Sequence, residues 1–218
     1  MGSPFGSPLH WRDDDLIAVS EFFDVDVTLA AYRSGVFPMP VGPRMGWYSP
    51  LGRGVLPLDG LVVSRSLRKM AKRYEIRVDT AFEAVLAGCA DRNRPSGWID
   101  GDIVEVYQAL HRAGVVHSVE SWTADGHLAG GLYGVSIGGL FAGESMFHRD
   151  GIGRDASKVA LMGLVDLLGA DGHPDRLLDV QWVTPHLASL GAVEIPRLEY
   201  LHRLARALEL PEPSWRRS

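Results

Sequence analysis

A chain of 218 residues that is 46% hydrophobic has enough apolar surface for a sizeable core, either as one large domain or as a main domain with a smaller companion. A net charge of −5 argues against a generally basic nucleic-acid binder. The single cysteine, Cys89, excludes an internal disulfide framework, and the eight histidines show no metal-ligand spacing, so no metal or other cofactor is expected. No apolar run approaches the length of a membrane span, and the first residues lack the basic-then-apolar order of a secretory signal. A cytoplasmic protein with no membrane partner is the expectation.

In chain order, residues 1–24 read as irregular and acidic. Val27 to Ser34 reads as a short helix ended by Gly35, and the proline-punctuated FPMPVGPRMGWYSPLGRG follows as a connector. This predicts a small N-terminal unit over 1–54 and a main domain over 55–218. The main domain opens with a helix from about Ser64 to Tyr74 and a second one at Thr80-Ala81-Phe82-Glu83, a capping-box pattern. The loop DRNRPSGWIDGD interrupts, Ile103 to Ala113 reads as a third helix, and strands run from about Val115. After HRDGIGRD come a helix in ASKVALMGLVDLLG, a strand from Leu177 to Val183 and a last helix from Pro196 to Leu208. The order, helices and then sheet, predicts an α+β fold.

The most informative run is GGLYGVSIGGLFAGESMF, from Gly130 to Phe147. Gly138-Gly139 is a two-residue turn signal between apolar runs. It pairs Ile137 with Leu140, Val135 with Ala142, Gly134 with Gly143 and Tyr133 with Glu144. One carboxylate, Glu144, thus stands where an apolar residue is expected, beside bare backbone at the paired glycines that a ligand can approach. A pocket and a core strand with a neutralised acid both fit this pattern.

Three other features carry polar chemistry. In SRSLRKMAKRYE, Leu67, Met70 and Tyr74 form an apolar stripe while Arg65, Arg68, Lys69, Lys72 and Arg73 cover the rest. That face suits phosphates, or is a solvated helix surface. Trp98 sits in a loop among Arg92, Arg94 and Pro95, where its ring can stack on a base or anchor the loop in the core. In LLDVQWV, alternation sends Leu178, Val180 and Trp182 one way and Asp179 and Gln181 the other, as in a polar site or an ordinary half-exposed strand.

Taken in order, several short motifs resemble the leucyl/phenylalanyl-tRNA protein transferase family. They include Tyr32-Arg33-Ser34-Gly35-Val36-Phe37-Pro38, Trp47-Tyr48-Ser49-Pro50, Trp98-Ile99, His117-Ser118-Val119-Glu120, GGLYGV, GESMF, Ala156-Ser157-Lys158, Asp179-Val180-Gln181 and Ser189-Leu190-Gly191-Ala192. The resemblance implies transfer of leucine or phenylalanine from aminoacyl-tRNA to an N-terminal arginine or lysine of an acceptor protein, marking it for degradation. It also implies an acetyltransferase-superfamily-like (GNAT-like) main domain, with a mixed, largely antiparallel sheet flanked by helices and no coenzyme A, acting as a monomer.

By position, the resemblance assigns Leu132, Phe141, Glu144, Leu164 and Leu178 to the aminoacyl pocket and Trp98 to stacking on the terminal adenine of the tRNA. The basic helix would hold the acceptor stem. Gln181 would accept a hydrogen bond from the attacking amine, and Asp179 would support the developing ammonium. The hairpin register objects to one part of this. Phe141 and Glu144 are three apart, so a regular strand sends them to opposite faces. Both can line one pocket only if the strand is bulged, which predicts a bulge at Ala142-Gly143. Two departures from the family pattern are Met39, where a tryptophan is usual, and Thr184, where many members have asparagine. An acyl-coenzyme A-dependent N-acyltransferase, suggested by Gly151-Ile152-Gly153 before a helix, and a non-catalytic RNA-binding module are the competing readings.

Overall fold

A computed structural model describes residues 3–91 and 99–215 of the chain. Strand β1 (Leu16–Ser20) is followed by helix α1 (Val25–Arg33) and by the hairpin of β2 (Phe37–Val41) and β3 (Arg44–Tyr48). They form an antiparallel sheet in the order β1-β3-β2. The sequence predicts irregular structure and a connector here. Pro38 and Pro40 are the reason for the difference, since β2 is an edge strand and an open edge tolerates residues without an N–H. The Asp24 side chain caps α1, and Gly35, at φ +76, ends it.

The larger sheet starts with β4 (Gly52–Val55), then α2 (Arg65–Ala71), β5 (Tyr74–Val78), α3 (Phe82–Cys89) and α4 (Gly101–Arg112). It continues through β6 (Val116–Thr123), β7 (Leu128–Ile137), β8 (Leu140–His148), α5 (Ala156–Leu168), β9 (Leu177–Gln181), α6 (Pro185–Ser189), β10 (Val193–Pro196) and α7 (Arg197–Leu208). The strand order is β10-β4-β9-β8-β7-β6-β5. Every neighbouring pair is antiparallel except β8 and β9, which run parallel. The chain is therefore α+β with a mixed, largely antiparallel sheet, as expected.

Short elements escaped the periodicity. The helix expected over 64–74 stops at Ala71, and Tyr74 begins strand β5, where its hydroxyl donates to the carbonyls of Ile152 and Arg154. The capping box at Thr80 does not form. The Thr80 hydroxyl instead donates to the buried carboxylate of Glu120, which also accepts from the Ala81 N–H at 2.9 Å, so Glu120 does the work of the cap. Strands β4 and β10 and helix α6 were not anticipated. Each has only four or five residues, too few to show a period.

Two apolar layers cover the sheet. On one side Phe82, Leu86, Ile103 and Tyr107 of α3 and α4 pack with Tyr133 and Val135, and the same cluster continues through Tyr32 of α1 and Phe37 and Trp47 of the small sheet. On the other side Leu161, Leu164 and Leu168 of α5 pack with Leu132, Phe141 and Leu178.

The hairpin decides the position of the site. Its register holds at Ile137–Leu140, Val135–Ala142 and Gly134–Gly143, and Tyr133 then pairs with Ser145. Glu144 is the extra residue, so the bulge exists and lies one position beyond the one predicted. The bare backbone at Gly134 is not open to a ligand. A Cβ there would collide with the Phe141 ring and the Ala142 carbonyl, so this glycine makes room for the chain's own aromatic.

Candidate active site

Strands β8 and β9 share only the pairs Leu140–Leu177, Phe141–Leu178 and Ala142–Asp179 before they part. Each leaves the ladder by a backbone irregularity. On β8 it is the bulge at Glu144, and on β9 it is Gln181, whose φ of +65 is left-handed and uncommon for a residue with a side chain. A cavity of about 740 Å³ opens between the diverging strands and α5. Leu132, Phe141, Met146, Leu161, Leu164 and Leu178 supply its apolar wall, while Glu144, Gln181, Thr184, His186 and Lys158 reach it with polar groups.

Glu144 is held where the strands part. Its carboxylate accepts from the Tyr107 hydroxyl at 2.8 Å and from the Gln181 side-chain amide at 2.9 Å. The Tyr107 hydroxyl in turn lies 2.7 Å from that of Tyr32, linking the acid to α1. Burial disfavours the charged form and raises the Glu144 pKa from 4.5 to about 7, although the tyrosine hydroxyls pull the other way. Tyr133 lines the same cavity, and its buried hydroxyl has no hydrogen-bond partner among the described residues.

Asp179 is fully buried and does not line the cavity. Arg53 on β4 meets it through two parallel hydrogen bonds of 2.8 and 2.5 Å, and the Tyr200 hydroxyl donates to it at 2.8 Å. The Asp179 carboxylate also accepts the Gln181 backbone N–H at 2.9 Å, which fastens the left-handed residue. Burial alone would lower the Arg53 pKa, but the paired carboxylate more than offsets this and raises it. With Gln181 Nε2 committed to Glu144, its Oε1 is left to accept a hydrogen bond.

The matches to known proteins cover the same segments. A family model described as leucyl/phenylalanyl-tRNA protein transferase matches residues 55–205, and the model of that family's N-terminal domain matches residues 23–51. The chain is 52% identical over 191 residues to the leucyl/phenylalanyl-tRNA–protein transferase of Ruegeria sp. (strain TM1040), covering 85% of this chain and 87% of that protein. This chain belongs to that family. Transferases of the same description from Herpetosiphon aurantiacus and Rubrobacter xylanophilus are each 48% identical, over 82% and 85% of this chain and 91% and 95% of their own lengths.

Within this family member, Leu132, Phe141, Glu144, Leu164 and Leu178 all meet at one cavity. Gln181 joins them, although not by strand alternation, because its left-handed backbone takes it out of the pleat. Asp179 is corrected: paired with Arg53 and sealed from the cavity, it cannot face a developing ammonium directly. Arg65, Arg68, Lys69, Lys72 and Arg73 are all exposed, on or just beyond α2, which packs against the cavity helix α5. Trp98 lies outside the described residues. In the Gly151-Ile152-Gly153 loop, Gly153 is packed against its own chain, since a Cβ there would meet the carbonyls of Ala129 and Arg149, whereas Gly151 faces open space.

Sequence reasoning missed Arg53, Tyr107, Tyr32 and Tyr200. A signal for Arg53 did exist: Asp179 between the apolar Leu178 and Val180 requires a buried cation, and Arg53, between two glycines and followed by Val55-Leu56, is among the few set in an apolar context. Tyr107 and Tyr200 carry no such mark.

Proposed function

We propose that this protein moves leucine or phenylalanine from aminoacyl-tRNA to the N-terminal arginine or lysine of acceptor proteins, marking them for degradation. In this reading it acts in the cytoplasm as a monomer, with residues 1–54 as an N-terminal unit and residues 55–218 as a GNAT-like transfer domain. The observation that carries the proposal is the cavity itself, a largely apolar slot with the hydrogen-bonded pair of Glu144 and Gln181 in its lining. The parallel β8 and β9, which part at a bulge, support the acetyltransferase-like reading of the sheet.

The leucyl or phenylalanyl side chain enters between Phe141, Leu132, Leu164 and Leu178, which accept an apolar group unbranched at Cβ. The exposed cations of α2 hold the acceptor stem by its phosphates, which positions any tRNA without reading its sequence. The neutral α-amine of the acceptor attacks the ester carbonyl, a C–N bond forms, the bond to the ribose oxygen breaks, and the amine's proton ends on that oxygen. The ester is already activated, so positioning, which can supply roughly 7–11 kcal/mol, suffices without a covalent nucleophile. Gln181 Oε1 accepts a hydrogen bond from the amine and aims its lone pair. An amide is too weak a base to take the proton outright.

The test is incubation with tRNA charged with labelled leucine and a peptide beginning with arginine. Label on the peptide that disappears after ribonuclease pretreatment of the tRNA is the expected result. Label arriving only from acyl-coenzyme A overturns the proposal.

A further inference from the structure

Arg53 contacts three parts of the molecule that are far apart in sequence. Its guanidinium bonds Asp179 on β9, the Gly35 carbonyl after α1 at 3.0 Å and the Tyr200 hydroxyl of α7 at 3.2 Å. It also lies over the rings of Phe37 and Tyr200, 4.7 and 4.2 Å from their centroids. The residue is 1% exposed and does not reach the cavity, so it cannot touch substrate. What it fixes is the Asp179 carboxylate, whose Oδ1 receives both the Arg53 Nε–H and the Gln181 backbone N–H.

That shared oxygen links the arginine to the site. A left-handed non-glycine residue persists only where its surroundings hold it, and this hydrogen bond closes the turn at Gln181. In regular strand geometry Gln181 would point with Asp179, away from the cavity, and its amide would not meet Glu144. We propose that Arg53 is a positioning residue for transfer, acting through Asp179 to keep Gln181 in the left-handed turn that presents its amide to the substrate cavity. The proposal rests on the aminoacyl-transfer reading above. It replaces an electrostatic role for Asp179 with a geometric one, because the ion pair is locally neutral and sealed.

Arg53→Lys keeps the charge and loses the planar fork that spans both carboxylate oxygens, the Gly35 carbonyl and the Tyr200 hydroxyl. With saturating leucyl-tRNA, the expected result is a fall in kcat of about tenfold to a hundredfold, the scale of an ångström-level misplacement, with KM for leucyl-tRNA unchanged. The same substitution on a Gln181→Gly background, measured in single turnover with excess enzyme, is expected to cost less than about twofold, because the group it positions is gone. Equal factors in both backgrounds, or a rise in KM in place of the fall in kcat, overturn the proposal. A crystal structure of Arg53→Lys adds a direct reading. Retention of the left-handed Gln181 and of its bond to Glu144 also overturns it. If Arg53→Lys yields no folded protein, Tyr200→Phe removes one donor to Asp179 at nearly constant volume and carries the same cycle. A parent enzyme inactive on leucyl-tRNA defeats the transfer reading, whereas an active parent with additive losses defeats only this inference.

Discussion

Asp179 ends the shared ladder on β9 and Glu144 lies two residues past its end on β8, and both are buried. Asp179 meets a guanidinium through two parallel hydrogen bonds, so its charge is matched within the fold. Glu144 is held by neutral groups, the phenols of Tyr107 and Tyr32 and the Gln181 amide, and burial moves its pKa to about 7. A buried acid with its own cation is a fixed part of the frame. One with neutral donors has its pKa raised to about 7, and it is the one that faces the cavity.

The largest effect expected from separating the two acids is on folding. Asp179→Ala leaves Arg53 buried without a counter-charge, and such a change costs about 3–5 kcal/mol. Urea unfolding measures it; a loss below about 1 kcal/mol would mean the pair is not part of the frame. Phe141→Ala should cost a similar ~3–5 kcal/mol because the ring is wholly buried, but it also opens the cavity wall. Competition between leucyl- and phenylalanyl-tRNA should then shift about tenfold toward the larger side chain, and an unchanged ratio would remove Phe141 from the selecting wall.

The pH series sharpens the comparison. The folded chain holds the Glu144 proton up to about pH 7, whereas an ordinary carboxyl releases it near 4.5. Between those values the folded state binds more protons than the unfolded one, so this group's contribution to stability is greatest below about 4.5, declines as pH rises to about 7 and is flat above. In Glu144→Gln that decline is absent. Its Tm relative to the parent should therefore improve by several degrees between pH 5 and pH 8, and an inflection of kcat near pH 7 should vanish. Parallel Tm curves would show that Glu144 does not titrate there.

The smallest effect is at the surface. Arg68→Glu should weaken aminoacyl-tRNA binding and lower the log–log salt slope by about 1 per lost phosphate contact, with kcat at saturation intact. An unchanged slope would return α2 to the status of a solvated face.

What could be read from the sequence was mostly local. The glycine turn at Gly138-Gly139, the periodic helices and the anomalous acid Glu144 are set by near neighbours in the chain. The bulge could also be inferred, because Phe141 and Glu144 cannot share a pocket on a regular strand. Contacts made at long range were hidden. Arg53 and Asp179 are 126 positions apart, and only the apolar setting of each hints at the pairing. Alternation misread Gln181, since its left-handed backbone takes the side chain out of the pleat and into the cavity. The proline-bearing β2 and the four-residue β4 and β10 are strands chiefly because neighbours pair with them.

The glycine turn of the hairpin is also tied down from far along the chain. The Gly139 N–H donates to the Ala207 carbonyl at the end of α7, and Glu212 accepts from the Gly138 N–H and the Ser136 hydroxyl. Synthesis proceeds from the N-terminus, so the hairpin emerges from the ribosome some seventy residues before the groups that clamp it. Until those groups follow, a nascent chain carries the hairpin without its clamp.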